Sequence, residues 1–309
     1  MSTATESTAA VSTAAVATST SSTPSTASLD DLRDGLRRLG RVVVAFSGGA
    51  DSALLAKVAH DTLGRDAVLC VTAISPSLAG AEEADCRRLA DEWGLRWVGV
   101  PTSEMQDAAY VANGPDRCAR CKSALMEALG PLAAAEGATV VLGVNVSDLG
   151  DHRPGQAAAA AAGAVFPLVE AGFTKDDIRH WSRALGLRTW DKPAAACLAS
   201  RLPYGTPVTL GRLAAVEAAE AALHALGFGQ LRVRHHGDAA RLEVDPAAFA
   251  GVVARRDEVV AAVRGAGFRF VALDLEGFRS GSLNRGLNDG LTDGLTDGLR
   301  GPPASEEDA

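Results

Sequence analysis

Apolar and polar positions along the chain alternate between two rhythms. Short, nearly continuous apolar runs at 41–46, 67–74, 95–100, 138–144 and 164–168 read as buried strands. Between them, 80–93, 120–136 and 174–185 carry apolar residues at three- and four-residue spacing, the spacing of one helix face. Apolar strands separated by helices predict a doubly wound α/β domain, a parallel sheet covered on both faces. In such sheets ligands sit beyond the C-terminal strand ends. After Gly205 the texture changes. A long Ala-rich helix pattern at about 209–226 leads to a hairpin pattern over Gln230–Val244 that turns near Gly237-Asp238. A helix at about 246–265 and a strand, Phe268–Leu275, complete a smaller α+β unit. Pro203, Gly205 and Pro207 place the boundary near 203–208.

The first strand runs straight into Ser47-Gly48-Gly49-Ala50-Asp51-Ser52, and a helix pattern follows at once (Leu54, Leu55, Val58, Ala59, Thr62, Leu63). A buried parallel strand that ends in glycines at a helix N-terminus leaves backbone N–H groups unpaired. The positive end of the helix dipole lies there too, a combination that suits a phosphate. Ser47 and Ser52 add hydroxyl donors. No Gly-Lys-Ser/Thr ending is present, so the loop is not a Walker A motif. It resembles the SGGxDS pyrophosphate loop of ATP-dependent enzymes that release AMP and pyrophosphate.

Composition narrows the function classes. The chain has 309 residues, 47% of them apolar, and a net charge of -8, which argues against a broad nucleic-acid surface. Residues 1–28 are almost wholly Ser, Thr and Ala, with no Lys or Arg before Arg33. They match neither a secretory signal nor a transit peptide and are expected to be a disordered tail. Residues 286–309, with their Gly-Leu-Asn/Thr-Asp repeats, are expected to be a flexible one. No apolar run approaches a membrane span; the expected location is the cytoplasm. The only lysines are Lys57, Lys122, Lys175 and Lys192.

Five cysteines in a cytoplasmic chain are not expected to form disulfides. Cys70 lies in a strand and Cys86 in a helix pattern, and both read as packing residues. Cys118 and Cys121 form a CxxC at a helix start, one turn apart on one face. Arg117, Arg120, Lys122 and the helix N-terminus are expected to lower their pKa. The pair is compatible with half a zinc site, a redox pair or half an iron–sulfur site. Cys197 sits in Trp190–Gly205, a loop of small residues with two prolines. There Lys192 and Arg201 are expected to stabilise a thiolate nucleophile.

Taken together, several segments resemble the sulfur transferases that build the nickel-pincer nucleotide of lactate racemase, the LarE family. They are SGGADS (47–52), PDRCARCK (115–122), GVNVSDLGDHRPG (143–155), PLVEAGFTK (167–175), WDKPAAACLASRLPYG (190–205) and RVRHHGD (232–238). The resemblance spans about residues 30–285. It implies an adenine nucleotide alpha hydrolase-like ATP-binding domain (29–205) and a C-terminal α+β domain (206–285). It also implies adenylylation of a carboxylate of pyridinium-3,5-biscarboxylic acid mononucleotide, which is then converted to a thiocarboxylate. Cys197 falls where family members place the thiol that attacks the acyl-adenylate. In one branch that cysteine gives up its own sulfur; in another, three cysteines hold a [4Fe-4S] cluster. With Cys118 and Cys121 besides Cys197, the chain looks like the cluster-bearing branch. A homo-oligomer, a hexamer in the family, is expected on the same ground.

Charge suggests the remaining roles. Amides of Gly48, Gly49 and Asp51, with Ser47 and Ser52, hold the pyrophosphate. Ile74, Ser75 and Gly143 border the adenosine. Mg²⁺ is expected near Asp51 or Glu170. Arg232 and Arg234 clamp a substrate phosphate, and Ser200 and Arg201 a carboxylate. His235 and His236 read as polar surface. Asn145, Asp148, Asp151 and Arg153 form a polar loop beyond a strand end. Three other classes compete: a tRNA thiolase, an ammonia-dependent amide-forming synthetase and a non-catalytic zinc module.

Overall fold

The computed structural model describes residues 27–149 and 154–279. Both expected tails lie almost wholly outside these residues, as do Asp151 and Arg153 of the polar loop. Helix α1 (Leu29–Leu39) leads into β1 (Val42–Ala45), α2 (Ala50–Leu63), β2 (Val68–Ile74), α3 (Gly80–Trp93) and β3 (Trp97–Pro101). The short α4 (Ala108–Val111), α5 (Arg117–Glu136), β4 (Thr139–Leu142), α6 (Pro154–Ala161), α7 (Pro167–Glu170) and α8 (Lys175–Ala184) complete the first half. The second half holds α9 (Leu210–Ala225), β5 (Leu231–His236), β6 (Ala239–Val244), α10 (Phe249–Ala254), α11 (Arg256–Gly265) and β7 (Phe270–Leu273).

The four N-terminal strands form a parallel sheet in the order β3-β2-β1-β4, with Val42 flanked by Val68 and Thr139. Because strand side chains alternate between faces, Val42, Val44 and Cys70 pack with α1, α2, α3 and α8, while Val43, Leu69 and Val71 pack with α5 and α6. Chain order reverses between β1 and β4, so the crevice beyond their C-terminal ends is the expected ligand position of an open α/β sheet. The strand expected at 164–168 shrinks to one parallel bridge, Val165 to Val141. Pro167, which lacks an N–H to continue a ladder, opens α7 instead.

The C-terminal sheet, in the order β5-β6-β7, pairs β5 and β6 as an antiparallel hairpin and β6 and β7 in parallel. Gly237 takes φ 61 between the paired His236 and Ala239, a backbone that glycine adopts freely in tight hairpins. The helix expected over 246–265 is broken at Arg255, whose guanidinium donates to Leu226 O and pairs with Glu258. The core beneath this sheet includes Leu213, Val216, Val233 and Leu242, and also Tyr110, Leu198, Ala199 and Leu202 from before the expected boundary. The second half of the Cys197 loop is thereby fixed in the C-terminal core. Among the described residues no helix is long and apolar enough to cross a membrane.

Candidate active site

The Ser/Gly loop leaves β1 beside the N-terminus of α2. Gly48 has φ 66, and a Cβ there would stand 2.9 Å from Cys86 Sγ, so glycine answers both the backbone and the space. Gly49 caps α2 without any side-chain cap, and the amides of Gly48, Gly49 and Ala50 have no protein acceptor among the described residues, while that of Asp51 faces its own carboxylate. Such orphan donors at a helix start form an anion cradle. Ser52 Oγ accepts from Ser47 N at 3.2 Å and lies 3.0 Å from Ser47 Oγ. It thus shapes the loop, while Ser47 stays exposed. Gly143 brings the end of β4 against α2: a Cβ there would stand 2.8 Å from Ser52 N and 2.9 Å from Ser52 Cα.

Asp51 belongs to a small acidic group. Asn145 Nδ2 donates to Asp51 Oδ1 at 3.0 Å and to Asp148 Oδ2 at 2.8 Å; Lys175 Nζ lies 3.3 Å from Asp148 Oδ1. Burial pushes the Asp51 carboxyl up, and the charge of Asp148 adds to it. Glu170, the other expected Mg²⁺ neighbour, is exposed at the end of α7 and lines neither cavity near the loop. The acid beside Asp51 is Asp148, bridged to it by Asn145.

Two cavities meet at the loop. An inner one of about 270 Å³ is lined by Phe46, Ser47, Asp51, Ser52, Thr72, Ser75, Gly143, Cys121, Lys122 and Cys197. An outer one of about 320 Å³ is lined by Ser47, Gly49, Asp51, Lys175, Arg179, Lys192 and Cys197. Ser47, Asp51 and Cys197 border both.

Cys118 and Cys121 occupy the first turn of α5, and Cys197 precedes a 3-10 turn, Leu198–Arg201. A buried polar staple joins these segments. Asn113, fully buried and with φ 59, donates through Nδ2 to Pro203 O at 2.8 Å and Thr206 O at 2.9 Å. Arg117 donates to Asn113 Oδ1 and to Ala199 O at 2.9 Å, and its guanidinium lies over the Tyr204 ring. Burial alone would lower the Arg117 guanidinium, but the thiols of Cys197 and Cys118 outweigh it and hold it up. From the other side, Leu198 N donates to Ser77 O at 2.8 Å. Cys121 and Cys197, arriving from two distant segments, thus line one cavity, with Cys118 exposed beside Cys121 on α5.

Cys121 departs from the lowered pKa expected of the CxxC pair. Burial first, and then the neighbouring Cys197, push its thiol up to about 12, so desolvation prevails over the surrounding cations. Cys70 is likewise pushed up to about 12 by burial, and Cys86 upward; Cys118 and Cys197 are exposed. Iodoacetamide at about pH 8 is therefore expected to modify Cys118 and Cys197 and to spare the other three, since only an accessible thiolate reacts; peptide mass mapping checks this. Among the described residues no three His, Cys, Asp or Glu side chains gather closely enough to hold one metal ion, so the closed zinc site expected of a zinc module has no geometric support. No such gathering is formed by Cys118, Cys121 and Cys197 either; of the three, Cys121 and Cys197 line a common cavity.

Several cations stand elsewhere than expected. Lys192 Nζ does not face a thiolate: it is 2.8 Å from both Glu82 Oε2 and Asp85 Oδ2 and donates to Gly48 O at 3.2 Å, tying the Cys197 loop to the phosphate loop. Burial would lower this ammonium, but the two carboxylates hold it above its ordinary value. Arg201 is buried, pairs with Glu220 at 2.9 and 3.0 Å, and donates to Ala196 O and Cys197 O. It braces the cysteine loop from inside. Ser200 Oγ donates to Cys197 O at 2.7 Å. Arg234, 1% exposed, pairs with Glu243 and donates to Ser200 O at 2.7 Å. Arg232 lies over the Phe278 ring, and burial, with Arg201 and Arg234 nearby, lowers it. His235 is buried with its ring 5.3 Å from that of Phe268, which corrects the surface expectation; His236 is exposed. Neither Asn113 nor Glu104 stands out in the sequence, since nothing local distinguishes a buried staple from an ordinary polar turn.

Lys192→Met is expected to lower the melting temperature and weaken ATP binding about tenfold, leaving Glu82 without its partner and Asp85 with Arg88 and Arg188 only. Burial would raise the Asp85 carboxyl, but Arg188 and Lys192 bring it down from its ordinary 3.8 to about 2. A depressed carboxyl stabilises the fold fully above the unfolded value and loses that contribution as pH falls through the folded one. The melting deficit of the variant should therefore be constant from about pH 5 to 8 and shrink below about pH 4; scanning calorimetry across that range reads it.

No family model matches the chain. It is 44% identical to an uncharacterized protein of Synechocystis sp. over 84% of this chain and 97% of that one. It is 42% identical to the pyridinium-3,5-bisthiocarboxylic acid mononucleotide synthase of Lactiplantibacillus plantarum, over 81% of this chain and 91% of that enzyme. An uncharacterized protein of Methanocaldococcus jannaschii is 24% identical over 78% of this chain and 91% of its own length. A phosphate loop and a cysteine loop facing the same cavities, with identity of this extent to a synthase of known name, place the chain in the LarE-type sulfur transferase family.

Proposed function

We propose that the protein is an ATP-dependent sulfur transferase. It adenylylates a carboxylate of pyridinium-3,5-biscarboxylic acid mononucleotide and converts it to a thiocarboxylate, releasing pyrophosphate and then AMP. The observation that carries this reading is that Ser47 and Asp51 of the phosphate loop and Cys197 line the same two cavities. The loop suited to phosphate and the sulfur nucleophile thus border the same space.

In the first step a carboxylate oxygen of the substrate attacks the α-phosphorus of ATP, and pyrophosphate leaves toward the amides of Gly48, Gly49 and Asp51. Ser47 and Ser52 shape that cradle, and Ser75 and Gly143 border the adenosine side. Mg²⁺, if held by Asp51 beside Asp148, neutralises phosphate charge. Lys175 and Arg179 add positive charge at the outer cavity. Catalysis here is mostly alignment and charge compensation.

In the second step sulfur attacks the acyl carbon and AMP departs. A [4Fe-4S] cluster held by Cys118, Cys121 and Cys197 would supply sulfide; without one, Cys197 itself supplies the sulfur. In that route Sγ forms a thioester, loss of the α-proton breaks the Cβ–Sγ bond, and dehydroalanine remains. Arg117 holds Ala199 O and so aims the cysteine loop, and Arg201 and Ser200 hold the carbonyl of Cys197. Arg232, which has no acidic hydrogen-bond partner among the described residues, is the better candidate of the arginine pair for a substrate anion, because Arg234 is committed to Glu243. A homo-oligomer in the cytoplasm completes the reading.

Incubation of the anaerobically reconstituted protein with ATP, Mg²⁺ and the biscarboxylate nucleotide, followed by intact mass spectra, tests it. Thiocarboxylate with an unaltered protein supports cluster-borne sulfur; thiocarboxylate with loss of H₂S from Cys197 supports the sacrificial route. ATP binding with no product sinks the substrate assignment, and tight, salt-sensitive tRNA binding would then point to a tRNA thiolase.

A further inference from the structure

One buried acid in the inner cavity has no part in the chemistry above. Glu104 follows the C-terminal end of β3 in a 3-10 turn, Glu104–Gln106. It is 3% exposed, lines the inner cavity together with Thr102, Ser75 and Cys121, and forms no ion pair among the described residues. Its Oε2 and the neighbouring Thr102 Oγ1 are both buried without a hydrogen-bond partner. Nearly all buried polar groups in folded proteins are paired, and an exception calls for a bound water or ligand. Two unpaired buried oxygens on residues that line the cavity beside the Ser/Gly loop indicate a ligand group absent from the protein itself.

The chemistry of the acid restricts that group. A carboxyl oxygen accepts hydrogen bonds and repels anions, so it does not receive a phosphate or a substrate carboxylate. The wanted partner must carry an N–H or O–H; the N-substituted pyridinium ring has positive charge but no such donor, which leaves the neutral donors. Resting on the reading of the site as one for ATP and a pyridinium mononucleotide, the only neutral donors common to both molecules are the ribose hydroxyls. The geometry points to Glu104, supported by Thr102, as the subsite that recognises a ribose hydroxyl in the inner cavity. This role gives the cavity a polarity. Anionic ends are directed to the phosphate loop and the outer cavity, and the sugar is directed to the β3 end.

Calorimetry on the full chain with Mg²⁺ tests the assignment, using ATP, 2′-deoxy-ATP and 3′-deoxy-ATP in one series and nicotinic acid mononucleotide with its 2′-deoxy counterpart in the other. The wild type is expected to bind one deoxy compound about ten- to a hundredfold more weakly than its ribo parent, the scale of one hydrogen bond to a charged group. The series showing the penalty identifies which nucleotide supplies the sugar. Glu104→Ala should remove that penalty, and Thr102→Val should reduce it; the second variant and the wild-type series decide the matter if Glu104→Ala does not fold. Equal binding of ribo and deoxy forms in both series, or a penalty that persists in Glu104→Ala, overturns the assignment. Inosine triphosphate provides a further arm: a Glu104-dependent loss with it, and none with the deoxy compounds, would mean that the acid reads the adenine amino group instead, and would also overturn it. ATP binding without hydroxyl discrimination removes only the role of Glu104, whereas no ATP binding at all removes the functional reading as well.

Discussion

Cys197→Ala is expected to abolish thiocarboxylate formation while ATP still binds and pyrophosphate is still released. Removing a nucleophile that no neighbour replaces costs at least about a thousandfold in turnover. The phosphate cradle should survive, because its parts lie on β1, α2 and β4. The Cys197 loop is held by main-chain bonds from Leu198 N to Ser77 O and by Arg201 to the carbonyls of Ala196 and Cys197. None of these uses the thiol, so the loop should keep its place. Pyrophosphate release measured beside product formation separates the two steps. Equal loss of both would show that Cys197 matters for nucleotide binding or folding rather than for sulfur. Unchanged turnover with ammonium as nucleophile would favour an amide-forming synthetase.

Gly143→Ala should be the most damaging small substitution outside the thiols. Its added methyl would meet Ser52 N at 2.8 Å and Ser52 Cα at 2.9 Å, backbone atoms at the helix start that carries the phosphate donors. They cannot step aside as a flexible side chain would. Either β4 or the first turn of α2 must shift, at a cost of about 1–3 kcal/mol in stability. A displacement of even about 1 Å in a positioning element can cost about a hundredfold in activity. We expect ATP affinity to fall by at least about tenfold, as read by calorimetry, with a lower melting temperature. Gly130→Ala is the control: it lies within α5, where a Cβ meets nothing within 4 Å, and should be neutral or stabilising by about 0.5–1 kcal/mol. Equal ATP affinity for Gly143→Ala and wild type would show that this approach of β4 to α2 does not shape the nucleotide site.

What was legible before folding was what depends on neighbours in sequence. The run from Arg41 to Leu63 carries its own strand, turn and helix, because apolar β-branched residues, two glycines and a helix-period pattern follow one another directly. The hairpin at 231–244 was readable for the same reason, its register set by a two-residue turn. The segment at 164–168 was not. Its apolar residues satisfy a strand pattern, but Pro167 withdraws an N–H and leaves a single bridge. The pattern at 246–265 likewise conceals a break at Arg255, whose guanidinium reaches Leu226 O.

The arginines and lysines mark the limit most clearly. From sequence, Lys192 and Arg201 flank Cys197 and read as partners of its thiol. In the fold Lys192 turns to Glu82 and Asp85 and Arg201 to Glu220. Arg117, from a segment about eighty residues earlier, reaches the carbonyl of Ala199 instead. A long charged side chain goes to whichever carboxylate or carbonyl is brought within reach, and those partners arrive from other elements. The pKa of Cys121 follows the same logic: nearby cations are visible in the sequence, while the burial that outweighs them exists only once α5 is packed. The sequence by itself determined the strand–Ser/Gly turn–helix unit and the parallel sheet, since these rest on local backbone preference and hydrophobic period. Only the tertiary structure decided which charges pair, which thiols are exposed and that Cys197 faces the phosphate loop, because burial and through-space electrostatics depend on distances that the chain order does not contain.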